Sequence, residues 1–272
     1  MSSSAKTIFI TGASSGIGLA SAQLFHARGW NVVASMRAPE KSPPELAAAA
    51  SDRMLVVRLD LQDHASIAPA LEAGIERFGA IDVLLNNAGY GQGGFFEAIS
   101  REAVQAQFDV NVFGVMDVTR LLLPHFRARG RGGVINVSSG AGFWGLPASS
   151  MYSASKFALE GFTEALSYEL AAQGVFVKSV VPYGGVTQTA FVARFSAGEF
   201  MGRIAAAYAK MVAGARVSAG DVAERIYEAA TDGTKQLRYF IGDDARGFLK
   251  ARYESRSDEE YMGRMRAYFD VE

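Results

Sequence analysis

The feature that most constrains this chain lies near its start. A short apolar run, Thr7-Ile8-Phe9-Ile10, passes at once into Thr11-Gly12-Ala13-Ser14-Ser15-Gly16-Ile17-Gly18 and then into a helical pattern over residues 19–27. A strand, a glycine turn and a helix in immediate succession open an α/β sheet. The alternation continues: apolar, β-branched runs at residues 32–35, 54–59, 81–85, 134–137, 175–181 and 237–241 read as six further strands. Helical periods fall at residues 63–77, within 101–129 and from 152 to 170, whereas the Pro- and Ala-rich segment 38–50 carries no identifiable chemistry. A chain of 272 residues with no dividing linker fits a single α/β domain.

Composition removes several classes of function. Net charge is −1, from 27 basic and 28 acidic residues, so no electrostatic nucleic-acid or anionic-membrane partner is expected. With no cysteine, disulfides, thiolate metal sites and cysteine nucleophiles are excluded together. His26, His64 and His125 lie far apart without a second ligand at metal spacing; they read as helix-surface residues, and no metal is expected. No apolar run approaches the roughly 18 residues that would span a bilayer. Residues 1–6 lead straight into the first strand without the charged, apolar and cleavage regions of a secretory leader, so a cytoplasmic location is expected.

The glycine turn has a chemical meaning. Glycines let the backbone approach a pyrophosphate, and the first amides of the following helix stabilise its charge. The spacing is G-x-x-x-G-x-G, and its place directly after the first strand strengthens it. An adenosine ribose would lie near the end of the second strand, where NAD sites usually offer a carboxylate; here the chain reads Ser35-Met36-Arg37. A missing acid and a present arginine favour the 2′-phosphate of NADP, the alternative being that Arg37 is a solvated loop residue. Asp60, closing the third strand, either meets the adenine amine or caps the next helix. Asn86-Asn87-Ala88-Gly89 after the fourth strand either faces the cofactor or makes only a turn. Asn111, in an apolar helical context, needs a hydrogen-bond partner for its amide.

The fifth strand ends at Ser138-Ser139, and after a loop rich in glycine and bulky apolar residues comes Tyr152-Ser153-Ala154-Ser155-Lys156 at the start of a helix. Tyr152 and Lys156 stand one turn apart on one face. A phenol has a reference pKa of about 10, and a nearby ammonium favours its ionised form; lowering it by about three units needs roughly 4 kcal/mol. Tyr152 would then serve as a general acid or base. On these residues alone, a solvated helix start with capping serines remains the alternative.

In register, these residues resemble the short-chain dehydrogenase/reductase family of NAD(P)(H)-dependent oxidoreductases. The carriers are Thr11-Gly12-x-x-x-Gly16-x-Gly18, Asn86-Asn87-Ala88-Gly89, Asn111, Ser139 and Tyr152-x-x-x-Lys156, and the likeness runs from Thr7 to about Gly185. It implies a single-domain, Rossmann-type, doubly wound parallel α/β sheet of about seven strands with helices on both faces. It also implies that Tyr152 is the catalytic acid/base, that Lys156 holds the nicotinamide ribose and lowers the tyrosine pKa, that Ser139 bonds the substrate oxygen, and that Asn111 keeps a water in the proton relay. Cofactor contacts are expected on the same basis from Gly12, Ser14, Ser15, Gly16, Ile17, Gly18, Arg37, Asp60, Leu61, Asn87, Ala88, Gly89, Tyr152, Lys156, Tyr183, Gly184 and Thr187, with NADP(H) preferred over NAD(H). Family members usually carry Pro-Gly after the sixth strand; this chain reads Pro182-Tyr183-Gly184-Gly185-Val186-Thr187-Gln188-Thr189. Either Tyr183 takes the usual proline position or one residue is inserted after Pro182; the Tyr183 ring is then expected to reach the nicotinamide or substrate, and Thr187 and Thr189 compete for the carboxamide.

Residues 187–216 would form a substrate lid rich in Phe, Met and Tyr, and Tyr90, Phe95, Phe96, Phe143, Trp144 and Leu146 stand on other loops. They suggest a bulky, hydrophobic ketone, aldehyde or alcohol, unless they merely pack the lid. The last residues, about 246–272, read as one or two surface helices outside the shared core. Relatives associate through the two long helices, so a homodimer or homotetramer is expected. Three functions follow, in order: an NADP(H)-dependent reductase or dehydrogenase, a non-catalytic NAD(P)-binding sensor, and an epimerase or dehydratase that retains its cofactor.

Overall fold

A computed structural model of the chain describes residues 5–48, 52–187, 194–195, 217–242 and 247–269. Strands β1 (Thr7–Ile10), β2 (Asn31–Met36), β3 (Met54–Arg58), β4 (Val83–Asn86), β5 (Gly132–Val137), β6 (Val175–Pro182) and β7 (Arg238–Ile241) pair in the order β3-β2-β1-β4-β5-β6-β7. Every pairing is parallel. The order reverses at β1, where Ile8 faces Val32 on one side and Val83 on the other. Such a reversal opens a crevice beyond the carboxyl ends of the strands.

Helices cover both faces, which is why the strands read as near-continuous apolar runs. Against one face lie α1 (Gly16–Ala27) and α6 (Ala219–Thr231), whose Ala22, Phe25, Val222 and Ile226 pack on Ile8, Ile10, Val32 and Ile135. Against the other lie α2 (Ile67–Phe78), α4 (Gly114–Arg129) and α5 (Ser150–Leu170), with Leu71, Leu122, Phe126 and Leu166 packed on Phe9, Val33, Leu84 and Val134.

Two expectations need correcting. The helical pattern within 101–129 is not one α-helix: α3 (Arg101–Phe108) passes through a π-helical turn, Asp109–Phe113, before α4 begins. A wider turn lodges an extra residue in the helix without changing the apolar pattern that announced it. The C-terminal helices, α7 (Phe248–Glu254) and α8 (Asp258–Phe269), are not mere surface decoration. Their Phe248, Ala251, Met265 and Phe269 are buried in a third core with Phe143, Trp144 and Val181. Trp144 stacks on Phe248 at 5.7 Å, and Phe248 meets the Tyr268 ring at 4.5 Å. Phe143 and Trp144, at 9% and 2% exposure, are thus covered by the extension and supply no pocket wall.

A buried ion pair closes the far end of the sheet. Lys178 on β6 donates to the Ala229 carbonyl (2.9 Å) and to Asp232, which also accepts from the Tyr239 hydroxyl. Burial would raise the Asp232 pKa, yet hydrogen bonds from Lys178, Tyr239 and Thr234 hold it well below the usual carboxylate range. A depressed carboxylate stabilises the fold above its unfolded pKa, about 3.9, and loses that contribution as the pH falls towards the folded value. Asp232→Asn is expected to cost about 3 kcal/mol in urea unfolding at neutral pH, because Lys178 is left buried without a counter-charge. The gap to the parent should narrow as the pH is lowered below about 3.9. A gap unchanged by acid would show that the charge of Asp232 is not what stabilises this corner.

Candidate active site

The glycine turn is locked to the end of β4 by reciprocal hydrogen bonds. Thr11 Oγ1 accepts from the backbone amides of Asn87 and Ala88, both at 3.0 Å. Asn87 Nδ2 donates in return to the carbonyls of Thr11 and Gly12, also at 3.0 Å. The Asn87 side chain is therefore a brace for the turn. Gly12 and Gly16 adopt positive φ, 70° and 55°. A Cβ on Gly12 would stand 2.9 Å from Ala88 Cα, and one on Gly18 would stand 2.2 Å from the Gly12 carbonyl oxygen. Beyond the turn, α1 starts with no acidic residue in its first turn, and its N-cap, Ser15, makes no side-chain capping bond. Uncapped amides at a helix start, reached over a glycine surface, suit a phosphate. That cradle, formed by Gly12, Ser14, Ser15, Gly16, Ile17 and Gly18, fits a dinucleotide.

Neighbouring strand ends complete its edge. Ala13 N donates to the Ser35 carbonyl at 2.9 Å, which draws the turn to the end of β2, and Leu59 N donates to the Met36 carbonyl at 2.9 Å. Arg37 follows, exposed, with no hydrogen bond or ion pair to the described residues. Asp60 Oδ1 accepts from Gln62 N at 3.1 Å, closing a turn ahead of the helix. Leu61 is 4% exposed and packs on the start of α4, where a Cβ on Gly114 would come 2.7 Å from Leu61 Cβ. Its side chain is core, leaving only its backbone for a ligand.

The second half of the site gathers on α5 and the π turn. Lys156 is 6% exposed, and its Nζ donates to the Val137 carbonyl at the end of β5 (2.9 Å) while lying 5.9 Å from the centre of the half-buried Tyr152 ring. Burial pushes the Lys156 ammonium down to about 8, against the pull of the Glu160 carboxylate. Gly89 lies in the same place: a Cβ there would stand 3.1 Å from Asn111 Oδ1 and 3.8 Å from Lys156 Nζ. Asn111, 1% exposed, donates to the Tyr90 carbonyl (2.9 Å) and Ser155 Oγ (3.1 Å) and accepts from Tyr90 N (3.1 Å). The partner its sequence context demanded is thus the loop after β4 on one side and the Tyr-x-x-x-Lys turn on the other. Ser139 caps the short turn Gly140–Gly142, its Oγ accepting from Ala141 N at 3.2 Å. Beside it the Ser138 hydroxyl is buried with no partner among the described residues.

Tyr183 sits in an aromatic cluster after β6. The Tyr183 ring packs edge-on against Trp144 at 5.8 Å and lies 6.4 Å from Phe240, within the aromatic core under the extension. Gly184 and Gly185, at φ 75° and 92°, then turn the chain, and Thr187 donates from both N (2.9 Å) and Oγ1 (3.3 Å) to the Val217 carbonyl. Thr189 and most of the proposed lid lie outside the described residues.

Sequence reasoning assigned no task to the brace at Thr11 or to a buried ladder beneath the site. Asn86 Nδ2 donates to Asn136 Oδ1 (2.9 Å) and Thr119 Oγ1 (3.1 Å), and Asn136 Nδ2 donates to Thr163 Oγ1 (2.8 Å). Asparagines within apolar strands were the available signal, since such amides are costly unless bonded. No group of three metal-ligating side chains occurs among the described residues, and no described helix is long and apolar enough to cross a membrane. A shallow cavity of about 410 Å³ between α1 and α6 is far from this chemistry, lined by Arg28, Glu224, Arg225 and Glu228, which pair with one another.

A parallel sheet whose strand order reverses beside a glycine-lined phosphate cradle defines a dinucleotide-binding fold of the Rossmann type, and here a tyrosine, a buried lysine and a capped serine stand at its strand ends. The chain belongs to the short chain dehydrogenase family, whose profile it matches over residues 6–199. It is 44% identical over 181 residues to the oxidoreductase YusZ of Bacillus subtilis, a match covering 65% of this chain and 64% of that protein. This chain thus spans just under two thirds of that relative's length. Human retinol dehydrogenase 8 is 39% identical over 210 residues, covering 74% of this chain and 67% of that one. A short-chain dehydrogenase from Streptomyces avermitilis superposes with a TM-score of 0.85 at 35% identity, over 93% of this chain and 94% of the other. Two further structures, each 27% identical, hold different cofactors: a Brucella melitensis ketoacyl reductase holds NADH, and a metagenomic short-chain oxidoreductase holds NADP.

Proposed function

We propose that the protein is an NADP(H)-dependent oxidoreductase that interconverts a bulky hydrophobic carbonyl compound and its alcohol. The observation that carries this reading is the Lys156 ammonium, buried against the Val137 carbonyl with the Tyr152 ring 5.9 Å away and Gly89 beside it. Bound NADP(H) supplies or accepts the hydride. In the reductive direction, Tyr152 gives its proton to the oxygen of the carbonyl, Ser139 donates a hydrogen bond to the same oxygen, and Lys156 stabilises the tyrosinate left behind. In oxidation the tyrosinate takes the hydroxyl proton. Asn111 holds the Tyr90 loop against the Tyr-x-x-x-Lys turn and supports a water in proton return. Gly12, Ser14, Ser15, Gly16, Ile17 and Gly18 hold the pyrophosphate, and Asp60, the Leu61 backbone, Ala88, Gly89, Gly184 and Thr187 line the rest of the cofactor.

Arg37 decides between the cofactors in this reading. Its guanidinium, exposed and unpaired among the described residues at the end of β2, suits a ribose 2′-phosphate. In fluorescence titrations the parent should bind NADPH at least about tenfold more tightly than NADH, about 1.4 kcal/mol, and Arg37→Asp should abolish that preference. Equal affinities in the parent would remove the arginine from cofactor selection and leave the rest of the site intact.

The hydrophobic substrate rests on Tyr90, Phe95 and Phe96 on the loop after β4, with Phe96 63% exposed, and on the similarity to a retinol dehydrogenase; Leu146 packs on the C-terminal core instead. Faster turnover of small hydrophilic carbonyls than of aromatic or polycyclic ones would contradict it. Phe113, Leu121, Phe157 and Tyr168 are all exposed on the π turn, α4 and α5; a homodimer or homotetramer through these helices would cover them. One domain, with a lid over residues 187–216, completes the reading.

A further inference from the structure

One buried acid has entered so far only through its pull on Lys156. Glu160 is 5% exposed on the inward face of α5, four residues after Lys156. Its Oε2 accepts from Arg238 Nε on β7 at 3.0 Å, and its Oε1 accepts from Ser179 Oγ on β6. Arg238 also binds Glu164, one turn further along α5, and lies 5.4 Å from the centre of the Phe143 ring. Gly142 packs on this stretch: a Cβ there would stand 3.0 Å from the Lys156 carbonyl oxygen and 3.1 Å from Glu160 Cγ. The carboxylate is thus held from two strands and confined by the loop that carries Ser139. A buried charge held this firmly is costly, and its electrostatic reach includes the ammonium one helical turn away.

We propose that Glu160 is a positioning residue for the active-site lysine, a buried carboxylate that keeps Lys156 protonated where water cannot, with Ser179 and Arg238 holding it in place. This rests on the reading of Lys156 as the cation that serves Tyr152. Around Lys156 stand the Val137 carbonyl from β5, the Asn111 amide from the π turn, the Tyr152 phenol from its own helix, and Glu160. Among the described residues, Glu160 is the one anion in that set. Arg238 works against Glu160 at Lys156 and is itself shared with Glu164, which moderates it. Lys178, next to Ser179 on β6, points to the other face of the sheet and spends its charge on Asp232. Burial alone disfavours an ammonium, and a nearby carboxylate restores it.

The test is a direct titration of Lys156 in the full-length protein without added cofactor. Lysine labelled with carbon-13 at Cε is followed by NMR, with Lys156→Arg identifying the signal. The parent midpoint should lie near 8. Glu160→Gln should move it down by about one pH unit, and Arg238→Gln should move it up. Ser179→Ala, which keeps both charges and frees the carboxylate, should give a smaller downward shift and serves if Glu160→Gln fails to fold. A Lys156 midpoint unmoved in Ser179→Ala and in Arg238→Gln, whatever their melting temperatures, would reduce the cluster to a structural clamp and overturn the proposal. Because no substrate or turnover is involved, this outcome is separate from any failure of the oxidoreductase reading. Should both hold, the upper limb of the pH profile of kcat/KM should fall at lower pH in Glu160→Gln, by the shift seen in the titration.

Discussion

Replacing Tyr152 by phenylalanine is expected to lower kcat by about a thousandfold, within the range that a positioned general acid contributes. The substitution removes one hydroxyl and keeps the ring that lies 5.9 Å from Lys156 Nζ. The lysine's hydrogen bond to the Val137 carbonyl, the glycine cradle and the brace between Thr11 and Asn87 are all independent of that hydroxyl. Cofactor affinity should therefore stay within about threefold of the parent, a change below about 0.7 kcal/mol. Steady-state kinetics beside a fluorescence titration separate the two quantities. A variant that keeps its kcat would remove Tyr152 from the chemistry, and one that loses cofactor binding in step with kcat would make the residue structural.

A second large effect is expected at Gly18. An alanine Cβ there would stand 2.2 Å from the Gly12 carbonyl oxygen and 2.5 Å from Asn87 Nδ2. Neither atom can retreat cheaply. The Gly12 carbonyl accepts from Asn87 Nδ2, and Gly12 is itself pressed on Ala88 at a positive φ of 70°. Relief of the clash must push α1 away from the turn, at the point where its first amides would meet a phosphate. Gly18→Ala is expected to cost about 1–3 kcal/mol of stability through overpacking. It should also weaken NADPH binding about a hundredfold, or about 2.7 kcal/mol. Thermal unfolding and cofactor titration of the same sample check both. Unchanged affinity would mean that the phosphates are not held at this helix.

Much of this arrangement is legible in the sequence, because it depends on local spacing. The glycine turn follows β1 without a gap, and Tyr152 and Lys156 share a helix face by period alone. Ser139 stands at the end of a run whose β-branched residues announce a strand. The strand ends themselves were located to within a residue or two, since burial on both faces leaves each strand as an uninterrupted apolar run.

What could not be read depends on residues distant in sequence. The π turn at Asp109–Phe113 leaves the apolar pattern nearly intact, so the extra residue that brings Asn111 to both Tyr90 and Ser155 is invisible in one dimension. Asn86 and Asn136 share a bond across 50 residues, and Arg238 reaches Glu160 across 78. The aromatic residues of the last two helices alternate with charges and so resemble a solvated surface. Their burial exists only because Phe143 and Trp144 turn away from the crevice to meet them. Gly140 permits this, since a Cβ there would lie 2.3 Å from Trp144 Cζ2. An apolar loop after a strand-end serine fits either a ligand or a core in sequence terms, and here the extension claims Phe143 and Trp144.

The measurement that tests the central claim most directly is NADPH consumption by the purified protein with a panel of aromatic and long-chain ketones, run beside Tyr152→Phe. The account predicts ketone-dependent oxidation of NADPH in the parent, with one alcohol formed per NADPH consumed, and its near-complete loss in the variant. Oxidation at equal rates in both proteins, or tight NADPH binding with no turnover of any carbonyl or alcohol offered, would contradict it.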